Sequence, residues 1–328
     1  MARIAVIIVN YNAGELAIAA VESVRARDHA GHDVEIHLVD NASPAGDGVL
    51  LTEAAEVRGW GAEVTLYREP VNHGFGRGNN VVLHALTARA NPPDYVFLLN
   101  PDAHLRNEAL AVLATFLDET PAAAVAGARS RKPDSPGPVT AAFRFPGLIS
   151  EFSGALSFGP VARVLRRWQV ALDPDLARSP VGWVSGAAVM ARFRVWQELG
   201  FFDPAYFLYY EEVDLMLRTQ RAGWQCWHVP EAEIVHVEGA STDVKSGRVE
   251  RRRRPAYWYE SWQYYFRKNH GRGYALTAAA LWMLGAAGNH FLAALRRQPP
   301  GAPLHFFADF WGAGIRPLLG LEARYRDV

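Results

Sequence analysis

The chain lacks most of the features that announce a chemistry at first sight. Its 328 residues contain one cysteine, Cys226, so no internal disulfide can form. There is no CxxC and no zinc-type cluster, and this usage fits a reducing compartment. Lys plus Arg and Asp plus Glu number 34 each, for a formal net charge of zero. Nothing therefore draws the whole molecule toward nucleic acid or an anionic membrane, and any electrostatic attraction has to be local. No GxGxxG follows the first apolar run and no Walker loop is present, which sets aside Rossmann dinucleotide binding and P-loop chemistry. Internal repeats are absent. The opening "MARIAVIIVNYN" carries one charge and an apolar run too short for the core of a signal peptide. It is expected to be a buried first strand, and the protein is expected to be cytoplasmic.

What is present is a large apolar fraction. Half of the residues are hydrophobic and 21% are charged, enough for a sizeable core. Ile4–Val9 is continuous and β-branched, as in a strand covered on both faces. A helical pattern follows over Gly14–Arg27. Strand patterns recur at Val34–Val39, Val64–Tyr67, Tyr95–Leu99 and Ala123–Ala128, with a polar loop between the first two. Helices are expected over Asn79–Arg89 and Glu108–Leu117. This alternation predicts an α/β fold with a mostly parallel central sheet. In such sheets ligands sit beyond the carboxyl ends of the strands.

Those ends are polar in a consistent way. They read Asn10-Tyr11-Asn12, Asp40-Asn41-Ala42-Ser43 and Asn100-Pro101-Asp102. Each alone is satisfied by strand-terminating turn chemistry; three on one edge suggest a site. Asp40 is either an Asx-turn residue or an acceptor for a nucleobase N–H. Asp102 is either a turn residue or a ligand for Mg²⁺ or Mn²⁺, which take hard oxygen donors and keep substrate phosphates in their shell. The run "NHGFGRGNN", Asn72–Asn80, is a tight turn or a place where backbone N–H groups meet phosphate. In "YYEEVDLMLR" the acids Glu211, Glu212 and Asp214 complement a helix dipole, and Asp214 can pair with Arg218. The aromatic stretch before them would also raise a carboxylate toward the range of a general base. His236, after a later strand, is a packed residue or a neutral metal ligand.

Taken together, "VIIVNYN", "VDNAS", "NHGFGRGNN", "FLLNPD", "VSGAAVMARF", "FFLYYEEVDLMLR" and "IVHVEGAS" resemble, in order and spacing, the motifs of family 2 glycosyltransferases. The similarity is to the bacterial rhamnosyltransferase-like branch and runs from about Ile4 to about Gly271. The resemblance implies a GT-A fold, a nucleotide-diphosphate sugar donor (dTDP or UDP favoured), a divalent metal, Mg²⁺ or Mn²⁺, and inversion at the anomeric carbon. It implies that Asp40 reads the donor base, with Asn10, Tyr11 and Asn12 lining that pocket. Asn72, Gly74, Arg77 and Asn80 match the loop around ribose and diphosphate. Asp102 and His236 match the metal site, and Glu212 the catalytic base, with Asp214 as the alternative. Two positions depart from the family pattern: Asn100 stands where the first acid of a DxD motif falls, and Glu212 replaces the usual Asp.

On this basis residues 1–240 form the transferase domain, with a donor half over 1–128 and an acceptor half over 129–240. Residues 241–328 form a helical extension. The acceptor is expected to be a saccharide or lipid-linked saccharide of the cell envelope, contacted by 129–179 and 238–272. Two rivals remain at this level: a non-catalytic sugar-nucleotide binder, and a nucleotidyltransferase, which would need a basic glycine-rich loop where this chain has "NYNAGE". The C-terminal run "RRRRPAYWYESW" is a solvated charged face or a contact for anionic head groups. The apolar stretch Tyr274–Leu295, interrupted by Asn289 and His290, suggests a packing or interfacial helix rather than a true span. Peripheral contact with the inner face of the plasma membrane is expected, and no nucleic-acid partner.

Overall fold

The computed structural model describes residues 1–133, 137–237 and 252–325. Its strands are β1 (Arg3–Asn10), β2 (Asp33–Asp40), β3 (Val64–Arg68), β4 (Tyr95–Leu99), β5 (Ala103–Leu105), β6 (Ala123–Arg131), β7 (Pro138–Val139), β8 (Ala142–Phe143), β9 (Ser179–Val181), β10 (Trp183–Val184), β11 (Ala188–Arg192) and β12 (Gln225–His236). Its longer helices are α1 (Gly14–Arg25), α2 (Asp47–Val57), α3 (Gly74–Thr87), α4 (Ala109–Glu119), α5 (Leu148–Leu156), α6 (Gly159–Val164), α7 (Phe193–Glu198), α8 (Glu211–Arg221), α9 (Ala256–His270) and α10 (Arg272–Leu295). The chain gathers into two compact units. The first comprises Met1–Phe143, Leu172–Phe207 and Glu211–Lys245; the second comprises Arg144–Ala171, Leu208–Tyr210 and Ser246–Val328.

The first unit is built on a sheet of order β3-β2-β1-β4-β11-β6-β12-β5. Alternate residues of β1 explain its unbroken apolar run. Ile4, Val6 and Ile8 belong to a core shared with α1 and α4, while Ala5, Ile7 and Val9 belong to one on the opposite face with α3 and α7. A strand buried on both sides has no polar face to offer. The first four strands by position, β3-β2-β1-β4, are parallel. Farther along, β6 and β12 also pair in parallel, so the expected mostly parallel sheet stands, with β11 antiparallel to both β4 and β6, and β5 antiparallel to β12. The sheet is mixed because the chain reaches β11 after a long excursion rather than through a helical crossover, and so enters from the other end.

Two expected elements differ. The polar loop between β2 and β3 contains α2, whose small apolar face (Leu51, Ala54) gives a weak helical pattern. The glycine-rich run is itself the first turn of α3, which begins at Gly74 rather than Asn79.

In the second unit α10 packs along α5 and α9. Trp262, Trp282, Phe306 and Phe310 pack ring to ring, with centroids 4.4–5.4 Å apart. The arginine run is not a uniformly solvated face. Arg253 makes a two-pronged pair with buried Asp309 at 2.6 and 2.7 Å, and the Arg254 guanidinium sits 3.8 Å over the ring of Trp258. Arg251 and the residues before it from 238 lie outside the described residues. The helix α10 is long and apolar enough to cross a membrane by length and composition. Its polar interruption has a structural purpose: Asn289 donates to the carbonyl of Leu156 at 3.0 Å and accepts from the N–H of Gly301 at 2.8 Å.

Candidate functional site

The parallel registers pair Asn10 with Asp40 and Ile8 with Leu99, so the three polar strand ends lie side by side at one sheet edge. Their side chains divide the work. Asn10 is wholly buried and spends itself on the scaffold. Its amide N–H groups face Asp47 at 2.9 Å, Ser43 at 3.2 Å and Asp40 at 3.3 Å, and its oxygen accepts from the N–H of Ala13. It aligns Asp40 rather than presenting a free group. Asp40 Oδ1 also receives the Ser43 N–H, at 3.4 Å, while among the described residues no donor reaches Oδ2. That oxygen lies over Gly48, where a Cβ would come within 2.9 Å of it. Tyr11 is partly exposed, and Asn12 is exposed with a left-handed φ of 53°, its N–H fixed by Ser43 Oγ.

The glycine turn is clasped by amides. Asn41 donates to Asn72 Oδ1 and to the carbonyl of Gly74, and accepts from the N–H of His73; Asn72 Oδ1 accepts from the N–H of Gly74. Gly74 has φ +74°, and a Cβ there would fall 1.7 Å from the carbonyl oxygen of Phe207. No other residue fits. Arg77 is part-buried and bonded through Nε to the carbonyl of His73. Asn80 does not face the edge with a free amide, since it exchanges two hydrogen bonds with the backbone of Phe202, at 2.8 and 3.1 Å. Sequence reasoning left out Asn41 and Asp47. The "VDNAS" motif contains the first, but its function as a clasp depends on a partner 31 residues away.

Asp102 and His236 meet because β5 pairs with β12 in a register that sets His236 opposite Ala103. His236 Nε2 lies 3.0 Å from Asp102 Oδ1 and 3.4 Å from Asn100 Nδ2. Among the described residues no cluster of three or more His, Cys, Asp or Glu side chains forms. One carboxylate and one imidazole fit a divalent ion only if further oxygens come from a ligand such as a diphosphate.

Glu211 and Glu212 open α8. Glu211 is buried, with no partner for Oε2 among the described residues, and burial, reinforced by the neighbouring Glu212 charge, holds its carboxyl well above the usual range. Burial also raises Glu212, to about 7, opposed by the Gly186 N–H that points at its Oε1 from 3.4 Å. The next residue, Ala187, accepts the N–H of Asn100, so two consecutive residues connect the end of β4 with Glu212. Asp214 is in a different situation. It is completely buried, bonded to Arg218 at 2.9 Å and to the Tyr206 hydroxyl at 3.3 Å, and Arg218 in turn binds the carbonyls of Leu199 and Phe201. Its carboxylate anchors the 199–206 segment to α8.

The chain matches the profile of glycosyl transferase family 2 over residues 5–168 and that of glycosyl transferase family group 2 over 161–311. It is 31% identical over 220 residues to the N-acetylglucosaminyl-diphospho-decaprenol L-rhamnosyltransferase of Mycobacterium tuberculosis, covering 64% of this chain and 68% of that protein. It is 24% identical over 166 residues to the rhamnosyltransferase WbbL of Escherichia coli, covering 50% and 61%. Among solved structures, S. aureus TarS 1-349 in complex with UDP-GlcNAc superposes with a TM-score of 0.55 at 14% identity, over 95% of this chain and 79% of that one. The mannosyltransferase PcManGT from Pyrobaculum calidifontis, in complex with GDP-Man and Mn²⁺, gives 0.52 at 16% identity, over 90% and 80%. The fold is thus that of the GT-A glycosyltransferases, and the chain belongs to glycosyl transferase family 2.

Proposed function

We propose that this glycosyltransferase moves rhamnose from a dTDP- or UDP-linked donor to a hydroxyl of a lipid-diphosphate-linked saccharide of the cell envelope, with inversion. The contact that carries this reading is Asp102 with His236, 3.0 Å apart at the sheet edge that also bears Asp40. The names of the mycobacterial and E. coli relatives support the sugar and the class of acceptor. Asp40 would accept from the donor base through its free oxygen, and the turn held by Asn41 and Asn72, with Arg77, would face ribose and diphosphate. Asp102 and His236 would hold a Mg²⁺ or Mn²⁺ ion, which would supply positive charge against the departing diphosphate.

Glu212 takes the proton of the acceptor hydroxyl as that oxygen bonds to the anomeric carbon. The bond from that carbon to the diphosphate oxygen breaks, and the nucleoside diphosphate leaves. A carboxyl held near 7 suits this step, because a base works best when its pKa lies near the operating pH. The Gly186 N–H fixes the carboxylate's direction without neutralising it.

The acceptor's lipid also accounts for an exposed stripe on α10. Leu284, Phe291 and Leu295 are 61%, 65% and 67% exposed at seven- and four-residue spacing, so they share one face, and Arg296 and Arg297 follow. An apolar stripe ending in arginines suits the surface of an anionic bilayer. The test is a transfer assay over dTDP-rhamnose, UDP- and GDP-sugars with a short-chain lipid-diphosphate N-acetylglucosamine, with and without Mg²⁺ or Mn²⁺. Metal-dependent transfer from dTDP-rhamnose is expected. Turnover of no donor in any combination would overturn the assignment.

A further inference from the structure

The second unit contains a cavity of about 290 Å³ that the transfer site does not use. Glu151 and Ser157 line it from α5 and its end, Tyr210 from the segment before α8, Arg254 and Trp258 from the start of α9, and Trp282 from α10. Its size falls just below the usual ligand-pocket range of roughly 300–1,000 Å³, enough for one small ring rather than a chain.

Its polar groups are of opposite sign and are not joined to each other. Arg254 stacks on Trp258 at 3.8 Å, and among the described residues no carboxylate lies within ion-pair distance of it. Glu151 is held by the indole N–H of Trp262 at 2.9 Å and influences Arg254 only through space. Burial raises the Glu151 carboxyl to about 7 and lowers Arg254. A part-buried guanidinium without a carboxylate, close to a carboxyl with spare hydrogen-bonding capacity, is costly unless something polar fills the space. A phosphate would satisfy Arg254 but meet Glu151. A hydroxyl both donates and accepts, so a ring bearing several hydroxyls satisfies both, with indole walls for its C–H faces.

We propose that this cavity is a saccharide-recognition site that takes one pyranose ring of the acceptor, with Arg254, Glu151 and the Tyr210 hydroxyl bonding its hydroxyl groups. The assignment to the acceptor rests on the transfer reading above; the chemistry of the cavity does not. The chain itself supplies a link to the base. Tyr210 directly precedes Glu211 and Glu212, and both Tyr209 and Tyr210 hold left-handed φ values of 70° and 68°. Two consecutive bulky residues persist in that region only where their surroundings hold them there. Here Tyr210 packs on Trp258 and Tyr265, and Tyr209 on Tyr257.

The experiment titrates tryptophan emission of the full chain with N-acetylglucosamine, N-acetylglucosamine 1-phosphate, rhamnose and inorganic phosphate. Variants are Arg254→Ala, Glu151→Gln and the milder Tyr210→Phe and Ser157→Ala, each checked for cooperative melting. Saturable binding of at least one sugar is expected, weakened about 10-fold or more in Arg254→Ala and measurably in Tyr210→Phe, together with a raised acceptor KM at unchanged kcat. If Arg254→Ala does not fold, the two mild variants decide. Binding of no sugar, unchanged binding in every folded variant, or phosphate binding as well as the sugar phosphate would each overturn the proposal. Transfer with an unmoved acceptor KM would remove the cavity while leaving the function standing. Absence of any transfer would remove the function while the emission titration still decides the cavity.

Discussion

The backbone N–H of Gly186 is directed at the carboxylate of Glu212, 3.4 Å from Oε1, and nothing larger than glycine fits between them. A Cβ at 186 would lie 2.9 Å from Glu212 Oε2 and 3.1 Å from the ring of Phe75. Gly186→Ala therefore displaces the carboxylate without removing it. We expect kcat to fall about 100-fold, as for a displacement of about 1 Å at a reacting group, with the donor KM nearly unchanged. Steady-state kinetics on the purified variant checks this, and a wild-type kcat would show that the contact does not position the base.

Glu212 and Asp214, both on α8, should separate by the kind of damage they cause. Glu212→Gln is expected to lower kcat by about 10²–10⁴ with the melting temperature preserved. Asp214→Asn leaves the part-buried Arg218 beside a neutral partner and is expected to cost about 3 kcal/mol of stability, read by chemical denaturation. If Asp214→Asn abolished transfer at full stability, the roles would be reversed.

The raised carboxyls fix two pH dependences. A base with pKa of about 7 must be deprotonated to act, so kcat/KM is expected to fall tenfold per pH unit below about 7. A profile flat down to pH 5 would exclude Glu212 as the base. For stability the sign is opposite. Glu211 keeps its proton in the folded state well above the pH at which the unfolded chain releases it. Between those values the native state binds more protons, so its contribution is complete below the ordinary carboxylate range and is lost as pH rises. Glu211→Gln is expected to flatten this decline, seen as a melting temperature less sensitive to pH between 5 and 8.

At the sheet edge, His236→Ala is expected to raise the Mn²⁺ concentration needed for half-maximal transfer about 10-fold or more, the size of effect usual even for supporting groups around a metal. Asp102→Asn should do the same, and chelation should stop turnover reversibly. Transfer indifferent to chelator would dismiss the metal.

On α10, Leu284→Glu with Phe291→Glu is expected to abolish flotation with anionic vesicles, since each places a charge in the apolar stripe. Unchanged flotation of the double variant would assign membrane contact elsewhere.

Much of this was legible in the sequence because it follows from local pattern. The two-sided burial of β1 and the polar strand ends follow from periodicity and strand order, whereas Asp102 and His236 were linked only through the family resemblance. What misled was the use to which polar side chains are put. Asn10 and Asn80 look like ligand contacts, but buried backbone and carboxylate groups need partners first, and those partners, such as Phe202 at 122 residues from Asn80, are invisible locally. The same holds for Asp214, claimed by Tyr206 as well as Arg218. The arginine run misled for a related reason: its members find Asp309, 56 residues on, and Trp258.

Asp102 and His236 are 134 residues apart in the chain, and only the antiparallel pairing of β5 with the last sheet strand brings them together. Contacts of such long range form late in folding, because the loop they close must be ordered first. A chain in which β1, β2 and β4 have paired but β5 and β12 have not would thus carry Asp102 without its imidazole neighbour.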